Sequence, residues 1–584
     1  MANNPNVNDP EILDGWADDA DILGWDDNAG LMGFNAVSAI PGEIDPSSDP
    51  LGGPVGERVF LVTATLYPDW NSQTTAPAEA SILATASYPT AGFPFGTDFG
   101  GAGPLNLRLA DRDFVTLVDD PDLPSVWFDG RVLDAGSISR TLPLAPVGSS
   151  AIETTFGSVV IDNTDGAFDT LLDQNTAISQ SLRIRGGRLG INVADFVTVF
   201  DARITGIGLS ETQATLELQD PVVYAQNLYP TTVFTGLGGI GGDADLEGIV
   251  RPVVLGRVWN MSPVLINAVA LIYQAHDGAI AAVSDVFDGG VALTFTADYV
   301  SYNALAAASL SGGQYATCLA SGLIRVGGTP AFALTAHVDG ALAAGTTVRS
   351  IAAWLIDQLG TQLEISVDAS SFGALPAWTA GWVWNEEFTL ADAISRFVGD
   401  GGYHWGADTD GLVRAVRLSA PDAGNIVATY DAADIVAIER TPLPQGYEGI
   451  HQRRQVRYLR NWTVQDDAGL AATAASRASR QREWRTRIST VAIASRNALD
   501  PAVLETSLYQ AGHAQALADY LIGLHGVSRQ MFSLETKIFG ALPKVGDTVR
   551  VTYPRFALGD GRALRIVAMD LRLAENEVNL LLWG

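Results

Sequence analysis

A chain of 584 residues that is 47% hydrophobic and only 17% charged has the apolar content for several packed cores. Its length predicts roughly three to five domains of about 100–200 residues, and no stretch approaches the ~20 apolar residues of a bilayer-spanning helix. The single cysteine, Cys318, rules out an intramolecular disulfide, a thiolate zinc site and a protein-held iron–sulfur cluster, and the net charge of −31, with Lys537 and Lys544 the only lysines, opposes stable wrapping of DNA or RNA while suiting a passage through which DNA slides without adhering.

The opening MANNPNVNDPEILDGW has no basic n-region and no apolar h-region, so no secretory signal is visible and the chain is expected to be made and kept in a cytoplasm or released by lysis. Residues 1–57 are rich in Asp, Asn, Pro and Gly and carry a near-repeat, Ile12-Leu13-Asp14-Gly15-Trp16 echoed by Ile22-Leu23-Gly24-Trp25-Asp26. The two indoles favour an acidic, extended N-terminal arm that docks Trp16 and Trp25 on a neighbour; a mobile acidic tail is the alternative. Neither acidic run has calcium-loop spacing.

From Glu57 onward, short apolar or alternating runs are broken by turns: VFLVTATLY, FVTLV, SVWFDGRVL, GSVVI, FVTVFDARITGI and TQATLELQ. Strands of this length without intervening helices predict an antiparallel barrel or sandwich, with Asp165-Gly166 as a turn. Next comes a glycine-rich stretch, GLGGIGGDADLEG, with a full G-x-G-x-x-G at Gly236, Gly238 and Gly241. A dinucleotide site would need a helix to open there, and Pro252 arrives too soon. Further on, Val348, Ile351, Ala352, Leu355, Ile356 and Leu359 predict a helix capped by Thr346 or Thr347 and ended by Gly360. QLEISV then reads as a strand, Thr389 to Val398 as a helix with a Thr389/Asp392 capping box, and YHWGADTDGLVRAVRL as a hairpin turning at Asp410-Gly411. Residues 345–420 thus form a small α+β unit. The last portion predicts a helix around Leu517 and Leu521, started by Asp500-Pro501, and then a meander of MFSLETKI, DTVRVTY, RALRIVAMDLRL and EVNLLLW.

Catalytic signals are sparse. His276, His337, His404, His451, His513 and His525 are scattered without zinc spacing, and His276 beside Asp277 reads as structural. No G-x-S-x-G or S-x-x-K stands at a strand-to-helix junction. A glycosidase needs only two carboxylates ~5–10 Å apart, and 66 acidic residues nominate no pair. One anomaly is basic: Arg453, Arg454, Arg457, Arg460, Arg477, Arg480, Arg482, Arg485 and Arg487 fall within thirty-five positions. Guanidinium forks suit carboxylates, so the cluster is expected at an intersubunit contact with acidic surface. A solvated face is the alternative, and nucleic-acid binding, with Tyr458, Trp462 and Trp484 as interleaved aromatics, ranks third.

The segment from Gly236 to Val300 resembles the middle of tail-tip (baseplate) hub proteins of long-tailed, siphovirus-type bacteriophages. The matching features are the Gly-rich turn, Arg251-Pro252 entering a strand that ends in Gly256, the Ser262-Pro263-Val264 turn, Tyr273-Gln274 before His276-Asp277-Gly278, and the turn at Asp288 to Gly290. FGSVVIDNTDGAFD is similar to the tube-like barrel preceding that segment, and the C-terminal meander to its returning half. The resemblance implies a mainly β fold with α+β insertions. It divides the chain into the acidic arm (1–57), a first tail-tube-like β-barrel domain (58–247), an inserted β-rich domain (248–344), a small α+β domain (345–420), and a second tube-like barrel with a helix (421–584). The resemblance further implies a homotrimer whose barrels form a pseudo-hexameric ring continuing the tail tube. Its partners would be the distal tail protein, the tape-measure protein and tail fibres, with contact at a host outer membrane and transient passage of DNA without specific binding. It transfers no catalytic motif, cofactor or metal site, and the arm at 1–57 matches nothing in the family. Competing expectations are a tail-associated glycan or cell-wall hydrolase and a glycan-binding receptor module, with Trp382 and Trp384 as its stacking platform.

Overall fold

The computed structural model describes residues 58–68, 105–144, 151–226, 228–363, 365–491, 498–538 and 543–584. Trp16 and Trp25, and with them the expected arm, lie outside the described residues. The fold is mainly β with small helical insertions, as the alternating runs predict.

The first nine strands considered are β1 (Arg58–Pro68), β2 (Leu105–Ala110), β3 (Val132–Asp134), β4 (Ser137–Thr141), β5 (Glu153–Phe156), β6 (Val159–Asp162), β7 (Ser181–Arg188), β8 (Val197–Leu209) and β9 (Gln213–Gln219). Seven of them line up in the order β2-β1-β7-β8-β9-β6-β3. The two-residue side-chain period of β1 sends Phe60, Val62, Ala64 and Leu66 into the main core, and Val59 and Leu61 into a smaller cluster with Phe114, Phe128 and Phe196. The segment at Asp129–Arg131 bridges toward both ends of the order: Ala110 N, at the end of β2, donates to Asp129 O at 2.7 Å, and Asp162 N of β6, the neighbour of β3, donates to Arg131 O at 2.8 Å. The two ends of the order are thereby drawn toward each other, which gives the sheet its barrel-like curl. One helix breaks the expected all-strand run. In α1 (Ala167–Gln174), Gly166 takes φ +70° at the turn and Asn163 Oδ1 accepts from Phe168 N at 2.9 Å. Side-chain hydrogen bonds of this kind are the signal that periodicity alone misses.

The hairpin β4–β5 does not stay with its neighbours. β4 pairs antiparallel with the C-terminal strand β28 (Leu558–Arg572), Ala568 opposite Thr141 and Arg572 opposite Ser137. That strand belongs to a second barrel-like sheet built from β22 (Ala428–Tyr430), β23 (Ile435–Thr441), β26 (Met531–Lys537), β27 (Thr548–Tyr553), β28 (Leu558–Arg572) and β29 (Glu577–Trp583), in the order β22-β27-β28-β29-β26-β23. One continuous apolar core joins the two sheets, with Val62, Leu182 and Phe200 from the first and Phe532, Ile566 and Leu580 from the second.

Between the barrels in sequence comes a β-sandwich. One sheet holds β10 (Val253–Met261), β13 (Ile280–Asp288), β14 (Val291–Ala292), β18 (Leu334–Ala341) and β19 (Gly381–Trp384); the other holds β11 (Val264–Asn267), β12 (Ile272–Gln274), β15 (Thr294–Asp298), β16 (Gln314–Cys318) and β17 (Leu323–Val326). Val254, Val258, Tyr273, Ile324 and Val338 fill the space between them. The glycine-rich approach forms tight turns around two short 3-10 turns, Gly239–Gly241 and Ala244–Leu246, and leads to no helix of nucleotide-binding type. His276 is structural: it is 6% exposed, its Nδ1 accepts from Val254 N at 2.9 Å, and burial lowers its pKa to about 4. Cys318 is buried in the smaller apolar cluster beside Ala316 and Leu323.

The α+β unit contains α2 (Val348–Leu363), α3 (Leu390–Asp400) and the hairpin β20 (His404–Ala407)–β21 (Val413–Val416), which turns through Gly411 at φ +77°. The Thr389/Asp392 capping box is present, and Thr347 with Ser350 makes a similar reciprocal cap on α2. Two expectations fail here. α2 runs through Gly360 to Leu363, so the expected QLEISV strand begins as helix and, among the described residues, keeps only a lone bridge at Val367. An interior glycine costs about 1 kcal/mol and does not end a helix whose apolar stripe is still packed. Likewise α4 (Ala511–His525) starts about ten residues beyond Asp500-Pro501, where Leu504–Glu505 is instead a short strand.

Candidate functional site

Three places concentrate polar chemistry. At the junction of the barrels, β4 carries Arg140 inward, with its side chain 3% exposed; Nη1 donates to Asp408 Oδ1 at 2.6 Å and Nη2 to Ala407 O at 2.5 Å. Asp408 also meets Arg414 from β21 and Lys544 from the second barrel, the latter at 2.7 Å. Burial alone would raise the Asp408 pKa, but the charges of Arg140 and Lys544 outweigh it and hold the carboxyl below its usual range. Asp220, which with Asp410 also acts on Arg140, has its own pKa raised by burial. The first barrel, the α+β hairpin and the second barrel are thus tied at one buried ionic knot.

The arginine-rich segment is more divided than its sequence suggests. In β24 (Arg453–Tyr458), alternation turns Arg454, Val456 and Tyr458 inward and leaves Arg453 and Arg457 half-exposed. Arg453 pairs with Asp500, and Arg457 with Glu505 at 2.5 Å. Arg454 is buried beside Tyr447 and His451. Arg480 is 2% exposed, donates to Asn260 and Thr335, and stacks 4.1 Å over Phe287. Arg454 and Arg480 therefore serve the chain's own interior and drop out of the expected contact surface. Arg477 pairs with Asp467, whereas Arg482, Arg485 and Arg487 are exposed, the last two on β25 (Arg485–Thr490), an edge strand paired only to β24. Arg460 is held by three indoles, with Trp462 at 4.2 Å, Trp382 at 5.0 Å and Trp484 at 5.3 Å from its guanidinium carbon.

That aromatic group borders a cleft of about 830 Å³ between β19–α3 and the 460–505 segment. Its walls include Trp382, Trp384, Phe388 and Trp462, with Arg396 and Arg460 among them and five carboxyl groups: Glu386, Glu387, Asp392, Asp400 and Glu505. Asp400, at the end of α3, is 2% exposed, accepts from Ser507 N at 2.6 Å, and has its pKa pushed up to about 6 by burial, against the pull of Arg396. The expected stacking platform is absent in its simple form. Trp384 is nearly buried with its ring stacked on Phe388 at 4.4 Å, the Trp382 ring carries Arg396 at 3.8 Å, and the two indoles are tilted by 59°. Among the described residues no three His, Cys, Asp or Glu side chains converge as a metal site. The cleft was not legible in the sequence, because β19, α3 and the 460–505 segment meet only in the fold; the GWVWNEEF string marked one wall.

The chain is thus a mainly β protein in which two barrel-like sheets share a core and a β-sandwich and α+β unit lie between them in sequence. No protein-family model matches it, and no curated protein does. Among solved structures, it is similar to a tail protein from Neisseria meningitidis MC58 at 10% identity, covering 78% of this chain and 95% of that one with a TM-score of 0.37. It is also similar to the prophage MuSo2 43 kDa tail protein from Shewanella oneidensis, at 10% identity, 78% and 95% coverage and a TM-score of 0.35. A chain of a native gene transfer agent virion matches at 15% identity over 58% of this chain and 84% of that one, with a TM-score of 0.36. Likenesses at this level carry no functional inference.

Proposed function

We propose that this chain is the structural hub of a phage tail tip, three copies of which form a ring that continues or closes the tail tube. The observation that carries this reading is the β4–β5 hairpin, which leaves the first barrel and completes the sheet of the second. A six-barrel ring made by three subunits requires the two barrels of each subunit to be held at a fixed mutual angle. A strand shared across the boundary, one continuous core and the Arg140–Asp408–Lys544 knot supply that constraint. The sequence resemblance to tail-tip hubs and the absence of a recognisable catalytic motif agree with it. The net charge of −31 suits passage of DNA without adhesion.

In this reading the outward arginines Arg453, Arg457, Arg477, Arg482, Arg485 and Arg487 meet acidic surface of a second copy. The arm with Trp16 and Trp25 docks on a neighbour, and the distal tail protein, tape-measure protein and fibres attach around the ring at the virion's tail tip. Native mass spectrometry and electron-microscope class averages of the purified chain provide the test. A threefold ring with an axial channel is expected; a monomer that cleaves peptidoglycan, or a closed ring of any other symmetry, overturns the proposal.

A further inference from the structure

The cleft between β19–α3 and the 460–505 segment has properties that a purely structural crevice does not require. Both signs of charge face it: Arg396 makes no ion pair among the described residues, and Glu386 and Glu387 are exposed on the rim. The guanidinium of Arg396 is fixed by its stacking on Trp382, and that of Arg460 by Trp382, Trp462 and Trp484, so the donors are held in place before any ligand arrives. Asp400 puts a nearly buried carboxyl among the lining groups, fixed by the Ser507 N–H.

Asp392 is engaged by the Thr389 N–H and Glu505 by Arg457, so the groups left to meet a ligand, Glu386, Glu387 and Asp400 against Arg396 and Arg460, nearly balance in charge and favour neither an anion nor a strong cation. A neutral polyhydroxylated ligand fits both sets. Each hydroxyl both donates and accepts, so it can give to Asp400 or Glu387 and take from Arg396 or Arg460, while C–H faces rest on the exposed edges of Trp382 and Trp462. The volume of about 830 Å³ is in the range that holds a small ligand of two or three rings. We infer that this cleft binds a neutral oligosaccharide, with Asp400, Glu387, Arg396 and Arg460 as the hydrogen-bonding groups. The inference stands apart from the ring proposal, because every residue it uses comes from one subunit.

The test applies the whole chain to a printed panel of neutral mono- to tetrasaccharides, sialylated and uronate oligomers, and amine-bearing glucosamine oligomers. The best neutral binder is then titrated calorimetrically against Arg396→Gln, Glu387→Gln and Asp400→Asn, with Arg555→Gln, exposed and outside the cleft, as an unaffected surface control. Glu387 is exposed, so its variant keeps the fold intact even where Asp400→Asn does not. Saturable binding of neutral saccharides, weakened about tenfold or more by Arg396→Gln and by Glu387→Gln and unchanged by Arg555→Gln, is the expected result. Retention of charged glycans only, no retention of any saccharide, or neutral binding indifferent to both cleft variants overturns the assignment.

Discussion

Replacing Asp408 by alanine isolates the contribution of the ionic knot. Of its three cationic partners, two keep carboxylates after the change: Arg414 still meets Asp410 and Asp368, and Lys544 has Asp410 at 3.6 Å. Arg140, with its side chain 3% exposed, keeps as a direct partner the Ala407 carbonyl, with the more distant charge of Asp410 and the buried Asp220, whose own burial disfavours its charge. A stranded buried cation of this kind costs about 3–5 kcal/mol. Arg140→Ala should cost less, about 1–3 kcal/mol, because Asp408 retains Lys544 and Arg414. Denaturant midpoints at unchanged slope measure both losses, and hydrogen exchange locates them. The amides of β4, Ser137–Thr141, should exchange roughly 10²–10⁴ times faster in the Asp408 variant. If Asp408→Ala stays within about 1 kcal/mol of the parent, or Arg140→Ala costs more than Asp408→Ala, the knot does not hold the barrels together.

Acid should loosen the fold through its histidines. Burial lowers the pKa of all six, to about 4 for His276 and His337 and to about 3 for His404 and His525. Folded pKa values below the ordinary 6.5 mean that the unfolded chain binds more protons; the stabilisation is complete above about pH 6.5 and is lost as pH falls toward 4 and 3. Each titrating imidazole costs up to about 1.4 kcal/mol per pH unit, and a melting temperature flat between pH 6.5 and 4.5 would refute this. The joint charge reversal Arg485→Glu/Arg487→Glu, on exposed positions of an edge strand, should leave the melting temperature of the isolated subunit almost unchanged while abolishing ring assembly in sizing experiments. Gly256→Ala should disrupt the β10–β19 pairing. Gly256 has φ +75° and an added Cβ would lie 2.1 Å from Ala380 O, so the cost is about 1–3 kcal/mol from the backbone alone and more from the clash, read as a lowered melting temperature.

What was legible in the sequence followed from local rules. Strand periodicity located most of β1, β8, β9 and the C-terminal meander; the capping box fixed the start of α3, and Asp410-Gly411 fixed a hairpin. What was not legible depended on partners far along the chain. Arg454 and Arg480 look like their exposed neighbours in sequence, but the inward phase of β24 and the Asn260–Thr335 site opposite Arg480 decide their burial. Asp400 lies just past the helix expected from the sequence and nothing local sets it apart, because Ser507, more than a hundred positions away, meets it only in the fold. The departure of β4–β5 to the second barrel was invisible for the same reason: SISRT satisfies either sheet, and only the long β28 offers the open ladder that takes it.

The division of cores also determines which parts of the molecule can move. Rotating one barrel against the other would expose side chains such as Phe200 and Phe532, which belong to one packed cluster, and would tear β4 from β28. Close-packed interiors do not deform continuously, so such a change would need an alternative packing of the whole cluster. The sandwich is different: Val254, Tyr273, Ile324 and Val338 form a cluster of their own, and Ile266, Leu305 and Cys318 a second, both separate from the barrel core. It is joined to the α+β unit by the four-residue pairing of β10 with β19, by Val253 and Leu255 of β10 and Ala341 of β18, which share the core of that unit with Ile351 and Leu355, and by Asn260 bonding to the 461–480 segment, from which Arg480 reaches back to it. Displacing the sandwich therefore breaks a short ladder, an apolar contact and a polar network while leaving the barrel core intact. The cleft lies beside this joint, with Trp382 and Trp384 on β19 itself, so a ligand bound between Arg396 and Arg460 would bear on the element along which the sandwich separates.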